Sequence, residues 1–290
     1  MRGAAALSRV ALITGATEGI GRGAALAFAR RGWTVHVLGR NADRAAAVVD
    51  ELTAISPDRS HRQFLVDLST IEANTRFLER YVAEHDRLDY ALLNAMVYTP
   101  KTSMTDDNIE TSFAVGTLSR YLFTVKLSHL LAKAQGARLS YMTMVSGLPD
   151  RVDIASVTKP GLHIFKAELQ AFLSHSLMTY FFRREGLTSV AVEEQDPGIV
   201  QTRQVPLHPW WFRLMLQLPK YRKDTMDALE YGQVLAHHVE NTDAGACAGR
   251  AFKKGRLVPY NAKVLESRDH FYELMEACRD MTGVAWEEMA

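Results

Sequence analysis

Short apolar runs alternate with longer amphipathic stretches from residue 10 almost to the end of the chain. The runs predict strands at 10–14, 33–38, 63–66, 90–93, 139–145 and 188–192. Between them the apolar positions recur at helical spacing, which predicts helices over 20–31, 42–55, 71–85, 106–134 and 160–184. Gly32 closes the first helix, and Ser56-Pro57 stops the second. This alternation predicts an α/β fold: a Rossmann-like, doubly wound parallel sheet covered by helices on both faces. After Val205 the pattern changes. Pro206, Pro209 and Pro219 bracket the aromatic stretch His208-Pro209-Trp210-Trp211-Phe212, followed by a predicted helix over 225–239, a strand near 256–259 and a last helix over 263–282. No repeat or low-complexity linker interrupts the chain, so 1–290 reads as one domain with an elaboration at about 203–290.

Composition narrows the partners. The chain of 290 residues is 47% apolar and 23% charged, enough to build a sizeable core. Its formal net charge of +1 gives no electrostatic ground for nucleic-acid binding. Cys247 and Cys278 are the only cysteines and lack metal-ligand spacing, so neither a metal site nor a disulfide framework is expected, and a reducing cytoplasm fits best. No stretch approaches the ~20 apolar residues of a membrane span. The apolar run at residue 10 leads straight into a glycine loop and reads as a strand, not a leader.

That loop, Thr14-Gly15-Ala16-Thr17-Glu18-Gly19-Ile20-Gly21, joins a predicted strand to a predicted helix. Glycines there permit a tight turn and close approach of a diphosphate, and the helix start offers free N–H groups and partial positive charge. The next strand ends Val37-Leu38-Gly39-Arg40-Asn41. An acidic residue at that place would bond the ribose hydroxyls of NAD. Arg40 instead suits a 2′-phosphate, which favours NADP(H) over NAD(H).

The ordered set of motifs resembles the short-chain dehydrogenase/reductase family. Gly15, Gly19 and Gly21, with Thr17, Glu18 and Ile20 between them, resemble its cofactor loop. Asp67-Leu68 resembles its adenine contact, and Leu93-Asn94-Ala95-Met96 its Asn-Asn-Ala-Gly strand end. Asp196-Pro197-Gly198-Ile199-Val200-Gln201-Thr202 resembles its Pro-Gly-x-Val-x-Thr segment beside the nicotinamide. The resemblance runs from about Val10 to Thr202. It implies a bound nicotinamide cofactor held in part by Pro197, Gly198, Val200 and Thr202, and commonly a homodimer or homotetramer.

The family's four working residues are an asparagine, a serine, a tyrosine and a lysine, and here the pattern breaks. Gly116 stands at the asparagine position and Met144 at the serine position, with Thr143 and Ser146 as neighbouring hydroxyls. No tyrosine occurs between Tyr141 and Tyr180. Three registers fit the Tyr-x-x-x-Lys pattern. One places Ala155 at the tyrosine and keeps Lys159; another places Leu162 there and keeps Lys166; a gapless count back from Pro197 places Ala167 and Ala171 and keeps neither. The first is preferred, because Ser-Val-Thr-Lys-Pro-Gly resembles the family's helix start. Lys159 is then both a catalytic candidate and, by resemblance, a ligand of the nicotinamide ribose. Ser146 and Tyr98 complete the catalytic candidates. Tyr141, His163, His175, Asp150 and Asp153 are further polar groups, each read more readily as structural.

The stretch holding Trp210, Trp211, Phe212, Leu214, Met215 and Leu216, followed by Lys220, Arg222 and Lys223, reads as a cover over a small apolar or aromatic substrate. Core or subunit packing, and contact with a membrane surface, are the alternatives. Three functions remain open: an atypical oxidoreductase acting on an apolar carbonyl, imine or enone; a non-redox cyclase, isomerase or lyase; and an inactive protein that binds NADP(H) or a metabolite.

Overall fold

The computed structural model describes residues 8–97, 103–161, 164–202, 214, 216 and 218–289. Its centre is a sheet of eight strands: β1 (Val10–Thr14), β2 (Thr34–Gly39), β3 (Arg62–Leu65), β4 (Tyr90–Leu93), β5 (Arg138–Met142), β6 (Ala191–Asp196), β9 (Ala251–Lys253) and β10 (Arg256–Val258). The spatial order is β10-β9-β6-β5-β4-β1-β2-β3, parallel throughout except for the β9–β10 pair. A separate parallel pair joins β7 (Ile199–Val200) to β8 (Thr225–Met226). Strand order reverses between β1 and β4, so the crevice at their carboxyl ends is where such a sheet takes a ligand.

Side-chain alternation along the strands divides the core in two. Ala11 and Ile13 of β1, with Tyr90 and Leu92 of β4, face α1 (Gly19–Arg30), α2 (Ala42–Ile55) and a helix late in the chain. Leu12, Ala91 and Leu93 face α3 (Ile71–Glu84) and two long helices on the other side. The first of those begins as α4 (Thr111–Phe113), passes through a π turn (Ala114–Leu118) and continues as α5 (Ser119–Ala132). It starts later than the expected residue 106: Asn108 takes a positive φ of 57°, and the Glu110 side chain caps the helix by accepting from the Phe113 N–H. The second is α7 (Ile164–Arg184), preceded by the single turn α6 (Ile154–Val157).

α5 is buried on nearly every side, which the end of the chain explains. After α8 (Pro219–Arg222), α9 (Ala228–Asn241) and α10 (Ala244–Cys247) come α11 (Ala262–Glu266), α12 (Arg268–Thr282) and a 3₁₀ turn (Trp286–Met289). These last elements lie over the outer faces of α5 and α7. Phe271 stacks on Phe181 at 5.0 Å, Tyr121 donates to the Val284 carbonyl at 2.7 Å, and Lys126 pairs with Glu288 at 2.5 Å. The expected final helix over 263–282 is thus broken at Ser267.

The largest correction concerns the sixth strand. It runs over Ala191–Asp196, not 188–192, because Glu193 and Glu194 are fully buried strand residues. Glu193 accepts from Ser140 (2.8 Å) and Gln195 (3.0 Å) and faces the His238 Nε2 (3.1 Å) and Arg138 (3.5 Å). Glu194 accepts from Ser176 at 3.0 and 3.1 Å. Each buried carboxyl is hydrogen-bonded, which is what allows a strand to continue through two acidic residues. β9 was not expected at all. The helix expected over 225–239 starts at Ala228, after β8.

Candidate active site

The glycine loop leaves β1 at the switch point. Gly15 and Gly19 hold positive φ of 65° and 54°, a region that favours glycine. A Cβ on Gly21 would lie 2.2 Å from the Gly15 carbonyl oxygen and 2.7 Å from the Asn94 amide, so no side chain fits there. Asn94 holds the loop from β4. Its Nδ2 donates to the carbonyls of Thr14 (3.1 Å) and Gly15 (3.3 Å), while the Thr14 hydroxyl accepts from the Asn94 and Ala95 amides. Glu18 occupies the N-cap of α1 without using its side chain to cap the first amides, leaving that helix end open toward the crevice. Thr17 rests on Gly39, and a Cβ built on Gly19 would meet Thr202 at 3.4 Å. The segment after β6 therefore returns to the loop. Asp196 shapes it by accepting from the Gly198 amide at 2.7 Å, and Gly198 takes a φ of +67°.

Arg40 follows β2, is exposed, and makes no hydrogen bond or ion pair with a described residue. Its neighbour Arg44 is paired with Glu18 at 3.1 Å. Asp67 is exposed just beyond β3, where its Oδ1 accepts from the Ser69 amide and hydroxyl, and Leu68 is buried beneath it. Together these elements form a cradle of glycines, an open helix start and a guanidinium unpaired among the described residues, which suits a dinucleotide.

The reaction end of the crevice is closely packed. A Cβ on Gly116, inside the π turn, would lie 2.9 Å from the Met96 sulfur and 2.9 Å from the Ala171 Cβ. Met96 and Ala171 thus fill the room a longer side chain at 116 needs. The residues of the preferred register lie before the long helix. Ala155 lies on α6 and Lys159 in the turn after it; both are exposed and neither is on α7. Gly161, with a φ of +93° after Pro160, separates the two helices. The α7 residue packed against Gly116 is Ala171. Ser146 lies on an exposed bend beyond β5, two residues past the half-buried Met144. Tyr98, His163, Trp210, Trp211, Phe212 and Met215 lie outside the described residues.

Beneath Gly116 is a buried polar group that the sequence did not reveal. Arg120, 2% exposed, donates through Nη1 to the Met142 carbonyl (2.7 Å) and to His175 Nδ1 (3.2 Å), and through Nη2 to the Ala95 carbonyl (3.1 Å). His175 Nε2 donates to the Gly116 carbonyl at 2.5 Å, and its Nδ1 lies 3.3 Å from the Thr143 hydroxyl. A guanidinium only donates, so Nδ1 is the acceptor and the ring proton sits on Nε2. Burial, then the Arg120 charge, hold His175 far below the ordinary histidine range; it is neutral and structural. Burial also pulls Arg120 down to about 9. The group ties the carboxyl ends of β4 and β5 to the π turn and to α7. Tyr141 points into this core, stacked on His175 at 5.2 Å with its hydroxyl 2.6 Å from that of Thr124. Asp150 is a surface group paired with Lys263 at 2.6 Å, and Asp153 is exposed too.

Between β6 and α9, Glu193, His238 and Cys247 place ligand-type atoms within 4.8 Å of one another. Arg138, Ser140 and Gln195 already satisfy Glu193, so the group reads as an internal ion cluster.

The family profile described as short chain dehydrogenase matches residues 9–171. The chain belongs to the short-chain dehydrogenase family. Mouse retinol dehydrogenase 12 is 28% identical over 296 residues, covering 96% of this chain and 88% of that protein. Bovine dehydrogenase/reductase SDR family member 12 is 33% identical over 139 residues, a match spanning 48% of this chain and only 43% of the relative. Among solved structures, a short chain dehydrogenase from Shigella flexneri complexed with NADP superposes with a TM-score of 0.63 at 20% identity, over 85% of this chain and 96% of that one. Among the described residues, no helix is long and apolar enough to cross a membrane.

Proposed function

We propose that this short-chain dehydrogenase is an NADP(H)-dependent oxidoreductase of a small apolar or aromatic carbonyl, imine or enone, working without the tyrosine, serine and asparagine of the family pattern. The observation that carries the reading is the cradle: Gly15, Gly19 and Gly21 leave room for a diphosphate at the open start of α1. Arg40 waits unpaired at the ribose end. NADPH bound there supplies a hydride. Asn94, Asp196 and Thr202 shape the walls that hold it, Asp67 and Leu68 border the adenine end, and Pro197, Gly198 and Val200 line the nicotinamide end. Lys159 and Ser146, both exposed, sit between β5 and α7 and act at the substrate's entry. The apolar substrate class is supported by the aromatic stretch around Trp210 and by the name of the mouse relative.

The buried thiols of Cys247 and Cys278 support a reducing cytoplasm. A homodimer or homotetramer would pair through surfaces other than the outer faces of α5 and α7, which the chain's own C-terminal elements cover. A non-redox lyase or isomerase is the second reading, favoured by Met96 and Ala171 closing the space beside Gly116. The deciding assay follows NADPH absorbance with retinal, aryl aldehydes, enones and cyclic imines. Consumption with any of these supports the oxidoreductase. NADPH binding without consumption across the whole panel refutes it.

A further inference from the structure

Removal of the family's tyrosine leaves the site needing a proton source, and α7 carries one. Residues 168, 171 and 175 are three and four apart and share one stripe of the helix. The lower two are fixed on the site side: Ala171 abuts Gly116, and His175 donates to the Gly116 carbonyl. α7 follows β5 and leads into β6, so it descends from the carboxyl edge of the sheet. Position 168 is therefore one turn closer to that edge than Ala171, on the face turned to the crevice.

We propose that Glu168 is the catalytic acid and base of this site, giving its proton to the carbonyl oxygen during reduction and taking it back during oxidation. The role rests on the oxidoreductase reading. In reduction the carbon–oxygen π bond breaks, a C–H bond forms with the hydride from NADPH, and an O–H bond forms with the carboxyl proton. NADP⁺ and a carboxylate remain, and water reprotonates the carboxylate.

Several observations support the assignment. Glu168 is half-buried, and no described residue offers it a hydrogen bond or a counter-charge. Burial is the sole cause of its shift, which pushes the carboxyl up to about 7. The nearest charges on its helix are otherwise placed: Lys166 is exposed and His175 is held neutral by Arg120. From the elements packed against that stretch, Glu110 of the α4 cap is engaged with the Phe113 amide, and Arg120 is occupied by Met142, Ala95 and His175. A carboxylic acid that is half protonated near neutrality, with a partly open route to solvent, is suited to general acid–base work.

The test uses the full-length protein with NADPH and retinal or an aryl aldehyde. Glu168→Gln is nearly isosteric and should keep NADPH binding and the thermal midpoint. Its single-turnover reduction at pH 6 should fall by roughly a hundredfold or more, and Glu168→Asp should recover part of that rate. The wild-type rate should decline above pH 7 along one ionisation that is missing in Glu168→Gln. Infrared difference spectra between pH 6 and 8 should show a protonated-carboxyl band in the wild type that Glu168→Gln lacks. Equal rates and equal pH profiles in the wild type and Glu168→Gln would overturn this role alone. A wild type that binds NADPH and reduces no carbonyl overturns the oxidoreductase reading and this role with it.

Discussion

The contact between α1 and α9 offers a measurement in which two effects of opposite sign compete. A Cβ on Gly23 would lie 1.9 Å from the Ala228 carbonyl oxygen and 2.4 Å from its carbon; one on Gly232 would lie 2.3 Å from the Gly23 oxygen. Both helices touch here backbone to backbone. In an open helix, Gly→Ala stabilises by about 1 kcal/mol. At Gly23 the added methyl must push the helices apart by about 1 Å to reach a tolerable contact distance. Such a gap forfeits roughly a quarter to a half of the dispersion contact across it. Tyr231 and Leu235 of α9 are fully buried, and each stabilises by roughly 1.5–3 kcal/mol through burial. Half of that loss, with the ~1–3 kcal/mol of overpacking strain, exceeds the gain in propensity.

Gly23→Ala should therefore destabilise by about 1–4 kcal/mol, lowering the thermal midpoint by several degrees at ~2–4 °C per kcal/mol. Scanning calorimetry of the wild type, Gly23→Ala, Gly232→Ala and the double variant reads this directly. The double variant should cost less than the sum, because helices already parted by one methyl accept the second more easily. α1 also carries the cofactor cradle, so affinity for NADPH should weaken in step with the midpoint. A Gly23→Ala protein as stable as the wild type, or more so, refutes the claim that the two backbones meet there.

Gly21→Ala should weaken NADPH binding at least tenfold, about 1.4 kcal/mol, since its Cβ collides with the Gly15 carbonyl; fluorescence titration with an unchanged Kd would count against the cradle. Arg40→Ala should weaken NADPH roughly ten- to a hundredfold and NADH hardly at all, the difference being one charge-assisted contact of ~1.5–3 kcal/mol; equal losses for both cofactors would remove Arg40 from the 2′-phosphate. Burial works to lower the pKa of His238, but its bonds to Cys247 and Glu193 and the Glu193 charge outweigh burial and raise it to about 9. That pKa lies above the unfolded value of about 6.5, so the pair's contribution is complete below pH 6.5 and is lost as pH rises through 9, by at most about 3 kcal/mol. Urea unfolding at pH 6.5 and 9 should show a fall in the wild type that His238→Asn lacks, and identical falls would refute the pairing.

The fold was largely legible because its signals are local. Apolar runs buried on both faces, as in β1 and β4, need no long-range information to read as strands, and the glycine loop between β1 and α1 fixed the handed βαβ start. Misplacement followed wherever a tertiary partner overrode local chemistry. Glu193 and Glu194 looked like the end of a strand, and only the approach of His238, Arg138 and Ser176 from elements distant in sequence makes them interior residues. The start of α4 was misread because 106–110 has helical composition, while the Asn108 turn and the Glu110 cap decide the boundary.

The site divides the same way. The cradle depends on backbone conformation, which glycine spacing announces. The reaction end depends on which side chains share a space, and residues far apart in sequence do not announce that they will meet. Met96, Gly116 and Ala171 are far apart in sequence and meet in one space: a Cβ on Gly116 would lie 2.9 Å from both the Met96 sulfur and the Ala171 Cβ. The Gly116 carbonyl accepts from His175. On the stripe of α7 that holds Ala171 and His175, the Glu168 carboxyl is unpaired among the described residues and raised by burial. Close packing around Gly116 and an uncompensated acid on the neighbouring stripe of α7 occur together. That combination is the physical reason to look for turnover here before concluding that the protein only binds its cofactor.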